Sequence, residues 1–316
     1  MKIVVTGGAG FIGYHLTRAL SKSGHSVVAY DNMSSVGAER IFDISDVELV
    51  EADVRDLASL RGACRGADAI FHLAAQVSVP FSMEEPSVDF DHNLRGMMNI
   101  LETSRRVGAR LFFASSAAVY GLPTMLPIPE SHALEPISFY GLSKKSAELY
   151  CSMYSNTFGV PVTVFRLFNA CGPHCHGVIY DVLHRLFENP THLRVLGKPD
   201  GSKDFICVSD VTAAMLAALE HDPAESFEVF NLGSGTSTTI AALVSHLCNT
   251  VGMRPLVNFS GSSWPGDVTK GLCADTSKLF ARFGWKPKTR LIDSLEKTVE
   301  WFRSVHMPRV DLKVEV

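Results

Sequence analysis

A doubly wound, parallel α/β fold is the architecture this sequence predicts, and three observations carry the prediction. The apolar run Ile3-Val4-Val5 is short enough to be a buried strand and leads into Thr6-Gly7-Gly8-Ala9-Gly10-Phe11-Ile12-Gly13. An amphipathic stretch follows, with Phe11, Ile12, Leu16 and Leu20 at helical spacing. A second apolar run, Val27 to Tyr30, ends in Asp31, eighteen positions past Gly13. Strand, glycine turn, helix, strand and acid at this spacing make a Rossmann-type dinucleotide-binding unit.

Each part of that unit has a physical reason. Gly7, Gly10 and Gly13 let the strand turn sharply, let the backbone approach a pyrophosphate, and let the helix pack closely on the sheet. The helix start offers free N–H groups and a positive dipole end to the phosphates. A carboxylate at Asp31 accepts from both hydroxyls of the adenosine ribose and repels a 2′-phosphate, so NAD is expected rather than NADP. The first arginine after Asp31 is Arg40.

The chain continues in the same alternation. Asn32 to Gly37 has no periodicity and reads as a loop beside the adenosine. A strand from Val47 to Val50 leads to Asp53, placed to meet the adenine amino group or to cap the helix from Leu57 to Cys64. The strand Ala69 to Leu73 ends at Ala74-Ala75, small residues that admit a cofactor closely. A long helix is expected from Val88 to Val107, containing Asn93, and a strand from Leu111 to Ala114 runs into Ser115-Ser116-Ala117-Ala118. Hydroxyls at the carboxyl end of a parallel strand lie where such sheets place ligands. After a proline-rich loop, Leu122 to Pro136, a helix opens at Ser138 and reaches Phe158, with Tyr140 and Lys144 on one face.

The strand Val162 to Leu167 ends near Asn169, and the irregular Cys171 to Gly177 marks a boundary. Beyond it come a helix (Val178 to Phe187), a strand (Leu193 to Leu196), a helix (Asp210 to Ala218) and a strand (Phe227 to Leu232). A helix from Ser237 to Cys248, a loop from Ser262 to Lys270 and a helix from Leu291 to Phe302 complete the pattern. The tail 310–316 alternates as an edge strand or a frayed terminus would.

Bulk properties narrow the function. With 316 residues, 46% of them hydrophobic, the chain can bury the core of one large or two packed domains. A net charge of -4 without a basic cluster gives no case for nucleic acid or an anionic membrane surface. No apolar run approaches the roughly 20 residues of a membrane span. The first apolar segment is shorter than the roughly 7–15-residue core of a secretory signal. Seven scattered cysteines point to a reducing compartment, with cytoplasm the expectation. Cys171, His174, Cys175 and His176 lack a second ligand pair, so no metal is expected.

Five ordered motifs carry a family resemblance: Thr-Gly-Gly-Ala-Gly-Phe-Ile-Gly (6–13), Ser-Ser-Ala-Ala-Val-Tyr-Gly (115–121), Tyr140-x-x-x-Lys144, Arg-Leu-Phe-Asn (166–169) and Pro-Gly-Asp (265–267). In this order they resemble the extended short-chain dehydrogenase/reductases, and most of all the UDP-glucose 4-epimerase-like members of the NAD-dependent epimerase/dehydratase family. The resemblance implies a Rossmann-type sheet with a smaller α/β substrate-binding domain. The first would take 1–169 plus about 209–235, and the second about 170–208 plus 236–316. It implies catalysis by Ser116, Tyr140 and Lys144. Cofactor contacts would come from Gly7, Gly10, Phe11, Ile12, Gly13, Asp31, Asn32, Asp53, Val54, Leu73, Ala74, Ala75, Asn93 and Ser115, together with Tyr140 and Lys144. Substrate contacts would come from Ser116, Ala117, Tyr140, Asn169, His176, Val178, Lys203 and Asp267. His174 is an alternative to His176 at the sugar, and a homodimer is expected.

The chemistry is consistent with these roles. A free tyrosine, with a pKa near 10, is a poor base at neutral pH. A lysine ammonium four residues away and the positive nicotinamide ring would bring it toward the working range. Related dehydratases carry an Asp-Glu pair where this chain has Ala117 and Ala118, so epimerisation at carbon 4 of a nucleotide sugar is expected. Dehydrogenation or dehydration, and a catalytically silent NAD-binding regulator, are the alternatives. Lys203 and Trp264 stand where many relatives have arginines at the diphosphate; Arg185, Arg194 and Lys198 could replace that charge but read better as surface cations.

Overall fold

The computed structural model describes residues 1–261 and 271–306. Trp264, Asp267 and the tail 310–316 lie outside them. Six strands come first: β1 (Lys2–Thr6), β2 (Ser26–Asp31), β3 (Val47–Glu51), β4 (Ala69–His72), β5 (Arg110–Ser116) and β6 (Val162–Leu167). Between them lie α1 (Phe11–Lys22), α2 (Leu57–Ala63), α3 (Val79–Glu84), α4 (Pro86–Phe90), α5 (Gly96–Val107) and α6 (Phe139–Phe158). Three short strands follow, β7 (Asn169–Cys171), β8 (His192–Val195) and β9 (Ser202–Cys207), with α7 (Val178–Glu188) inserted before β8. Then come α8 (Val208–Glu220), β10 (Phe227–Leu232), β11 (Ser237–Thr239), α9 (Ile240–Val251), β12 (Leu256–Phe259), α10 (Ser277–Phe283) and α11 (Leu291–His306).

One seven-stranded sheet in the order β10-β6-β5-β4-β1-β2-β3 dominates, and every neighbouring pair in it is parallel. Its strands are nearly continuous apolar runs because helices cover both faces. On one face, Leu60 of α2, Ile100 and Leu101 of α5, and Ala147 and Cys151 of α6 pack on Val4, Ile70 and Val164. On the other, Leu16 and Leu20 of α1 and Val211 and Met215 of α8 meet Ile3, Phe71, Phe165 and Phe230. Each fully buried side chain of this kind contributes about 1.5–3 kcal/mol. A separate core joins α7, α9 and α11 through Leu183, Leu186, Leu243, Leu247, Leu295 and Phe302.

The sheet strands and the main helices lie where the sequence reading expects them, with several differences. Ser237–Thr239 is a strand paired antiparallel to β9, and Thr239 caps the helix behind it, which starts and ends three residues later than expected, by accepting from the Ala242 N–H at 3.1 Å. Strands β7, β9 and β12 and helices α3 and α10 are additional. The expected single helix from Val88 to Val107 is α4 and α5 joined by a π turn, Asp91–Arg95. Leu279 of α10 and nearby Trp285 pack with Phe230 against the large sheet, although the sequence reading assigns all of 236–316 to the smaller unit.

Candidate active site

Strands β1 and β4 pair side by side, but the helices that follow them cover opposite faces. The crevice at their carboxyl ends is therefore the switch point where sheets of this kind bind ligands. A cleft of about 800 Å³ opens there.

Its inner end is a glycine cradle. Gly7 has φ +70°, and a Cβ on it would stand 2.7 Å from the Ala74 backbone nitrogen. A Cβ on Gly13 would collide with the Gly7 carbonyl oxygen. Only a bare backbone fits, so α1 starts directly below the cleft, with Gly10 at its N-cap. Asp31 ends β2 and is held from both sides: Oδ2 accepts from the Ala9 N–H (3.0 Å) and Oδ1 from the Met33 N–H (2.8 Å). Each oxygen keeps a lone pair for a further donor. These features fit the adenosine ribose and pyrophosphate of a dinucleotide.

The residues expected to hold cofactor largely meet in this cleft. Gly7, Gly10, Phe11, Ile12, Gly13, Asp31, Asn32, Asp53, Val54, Leu73, Ala74, Ala75, Ser115, Tyr140 and Lys144 all line it. Asn93 does not; its side chain bonds both the N–H and the C=O of Gln76, at 2.9 and 3.0 Å, and so shapes the cleft through the loop after β4. Asp53 is clamped by Arg55, with Oδ1 to Nε at 2.8 Å, and this pairing holds its carboxyl well below the usual range. The cap of α2 is Asp56 instead.

Ser116, Tyr140, Asn169, His176, Val178 and Lys203 line the same cleft. Ala117 does not: it is packed in an apolar cluster with Val119, Tyr120 and Phe168, because the short helical turn after β5 points it inward. Asp267 lies outside the described residues. His174 is also turned away, its ring against Tyr14 (5.3 Å) and Trp301 (4.9 Å). Arg185, Arg194 and Lys198 line the cleft with Lys203, while Arg194 and Lys198 remain exposed as expected of surface cations. Helical periodicity alone does not say which polar side of α7 meets a ligand.

Ser116 closes β5, where its Oγ accepts from the Ala118 N–H at 3.2 Å. Lys144 is 4% exposed; its Nζ donates to the Ala114 carbonyl at 3.0 Å and lies 5.9 Å from the centre of the Tyr140 ring. Burial pulls its ammonium down to about 8, against the raising effect of Asp89 and Glu148. Burial pushes the Tyr140 phenol above its ordinary value; the nearby Ser116 hydroxyl opposes this and Asp89 adds to it. The lowering expected from Lys144 is not seen among the protein's own groups, where desolvation of the phenolate is the largest influence.

Comparisons with known proteins agree with this geometry. The profile of the NAD dependent epimerase/dehydratase family matches residues 3–233. A putative UDP-glucose 4-epimerase of Methanocaldococcus jannaschii is 31% identical over 310 residues, covering 96% of this chain and 98% of its own. The crystal structure of a UDP-glucose 4-epimerase from Thermotoga maritima, with UDP-glucose, superposes with a TM-score of 0.90 at 32% identity, covering 97% of this chain and 100% of that one. A UDP-glucuronic acid 4-epimerase from Bacillus cereus, in complex with UDP-glucuronic acid and NAD, gives 0.88 at 27% identity, covering 96% and 100%.

Proposed function

The chain belongs to the NAD-dependent epimerase/dehydratase family, and from that premise we propose that it is a 4-epimerase of a UDP-linked sugar. One observation carries the reading: Ser116, Tyr140 and Lys144 line the cleft that the glycine cradle opens. Ala117 sits in an apolar cluster beside that serine, where a dehydratase would need an acid.

Bound NAD would supply the hydride acceptor and donor for carbon 4. Gly7, Gly10 and the start of α1 would hold its diphosphate, and Asp31 its adenosine ribose. The Tyr140 oxygen accepts the proton of the sugar 4-hydroxyl and later returns it to the same oxygen. Ser116 orients that oxygen, while Lys144, fixed to the Ala114 carbonyl, keeps a positive charge beside the phenol. Arg185, Arg194, Lys198 and Lys203 receive the diphosphate of the nucleotide sugar with Asn169, and His176 and Val178 lie along the sugar.

Incubation with a panel of UDP-, GDP- and dTDP-sugars, followed by separation of epimers, tests the reading. The expected result is interconversion of one UDP-sugar pair without net NADH; release of NADH or of a dehydrated sugar would overturn it. Asp31→Ser with Asn32→Arg should begin to admit NADP. A wild-type preference for NADP of tenfold, about 1.4 kcal/mol, would contradict the role of Asp31.

The assembly and organisation belong to the same proposal. The outer sides of α4 and α6 expose Phe90, Leu149 and Met153, an apolar surface suited to a homodimer. Equilibrium sedimentation should give a dimer at micromolar concentration. The separate core of α7, α9 and α11 supports a substrate-binding unit of 170–208 plus 236–316, apart from α10, beside a cofactor unit of 1–169 plus 209–235. All seven cysteines are free, in keeping with the cytoplasm, and among the described residues no helix is long and apolar enough to cross a membrane.

A further inference from the structure

A carboxylate with no part in the mechanism above is buried beside its two titrating groups. Asp89, on α4, is 1% exposed and makes no ion pair among the described residues. Its Oδ1 accepts from Gln76 Nε2 at 3.0 Å and from Asn93 Nδ2 at 2.9 Å. The same Asn93 nitrogen reaches Ser143 Oγ at 3.3 Å, and Ser143 directly precedes Lys144. Asp89 is thus fixed between the loop leaving β4 and the helix that carries Tyr140 and Lys144. The π turn Asp91–Arg95 begins two residues after it, and such turns occur often at functional sites.

A buried carboxylate held only by neutral amides is costly, since hydrogen bonds do not cancel its charge. The buried cation that answers it is Lys144, for which Asp89 is the leading charge favouring the ammonium; it is also the leading charge disfavouring the Tyr140 phenolate. We propose that Asp89 is a positioning residue that keeps protons on the Tyr140–Lys144 pair, so that the phenol ionises only when a positive ring is brought against it. The inference rests on the epimerase reading for its rate effects. Glu148, Cys151 and His72 are the other titratable groups coupled to Lys144. Glu148 is paired with Arg166 at 2.7 Å, Cys151 is held as a thiol by burial, and His72 on β4 is pulled down to about 3 and stays neutral. Ser116 contributes only a hydroxyl.

Asp89→Asn keeps an acceptor oxygen for Gln76 and Asn93 but removes the charge, so the phenol and the ammonium both lose protons at lower pH. Both limbs of the kcat profile should move to lower pH by about half to one unit. Asp89→Ser, also neutral, should do the same if the amide does not fold. Ser143→Ala, which removes the Asn93 contact and leaves the charge, should alter the height of the profile and not its limbs. Unmoved limbs in both Asp89 variants, or limbs moved upward, would overturn the proposal. A second readout needs no turnover: phenolate absorbance of the NAD-bound protein, taken as the difference from Tyr140→Phe, should titrate at lower pH in Asp89→Asn. A displaced titration in a protein that epimerises nothing would support Asp89 and reject the epimerase; an undisplaced titration in an active epimerase would do the reverse.

Discussion

Tyr140→Phe is expected to lose about 10²–10⁴-fold in kcat while retaining NAD, because it deletes the proton acceptor and little volume. Tyr140 stands at the start of α6 and lines the cleft with Ser116, and Lys144 one turn later faces the same ring. Ser116→Ala should cost less, since the phenol can reach the sugar oxygen directly. Lys144→Ala should damage both rate and cofactor binding. The measurement is steady-state epimerisation beside a fluorescence titration of NAD. A Tyr140→Phe enzyme keeping more than about a tenth of the wild-type rate, a barrier change of only 1.4 kcal/mol, would remove Tyr140 from the mechanism.

Arg166→Ala should produce a large loss of stability, about 3–5 kcal/mol. The Arg166 and Glu148 side chains are 6% and 5% exposed and meet at 2.7 Å. Arg166 also donates to the Tyr120 hydroxyl at 3.0 Å and to the Glu130 carbonyl at 2.9 Å, and Glu148 accepts from Ser115 Oγ at 2.5 Å. Removing the guanidinium strands a carboxylate in a dry interior. Urea unfolding measures the effect, and Arg166→Met with Glu148→Leu should recover much of it because no charge is then left buried. A single variant within 1 kcal/mol of wild type would show that water reaches the pair.

How much of this was legible depends on how the chain buries itself. Strands β1 to β6 were readable to within a residue or two at most ends, since a strand covered on both faces is a short, mostly apolar run, even where a paired charge such as Arg166 interrupts it. Ser202–Cys207 begins Ser-Lys-Asp and gives no such run; its stability comes from pairing with β7 and β11. The motif residues were readable because glycine geometry and a tyrosine four residues before a lysine have few other uses together. Arg185, Arg194 and Lys198 were not, because their placement depends on how α7 and β8 pack. Asp89 was missed for a related reason. An aspartate on a helix reads as a solvated charge, and only the packing of α4 on α6 buries it.

The late arrival of β10 also bears on how the chain is made. Val162 of β6 pairs with Phe227 of β10, so everything from β7 to α8 must leave the ribosome before that edge is covered. At roughly 5–20 residues per second, the nascent chain carries an open, largely apolar strand edge for several seconds. Unprotected edges of this kind invite pairing with other chains. The segment from β7 to α8, which brings the cleft Arg185, Arg194, Lys198 and Lys203, therefore sets a period during synthesis when the unfinished sheet keeps an unpaired edge.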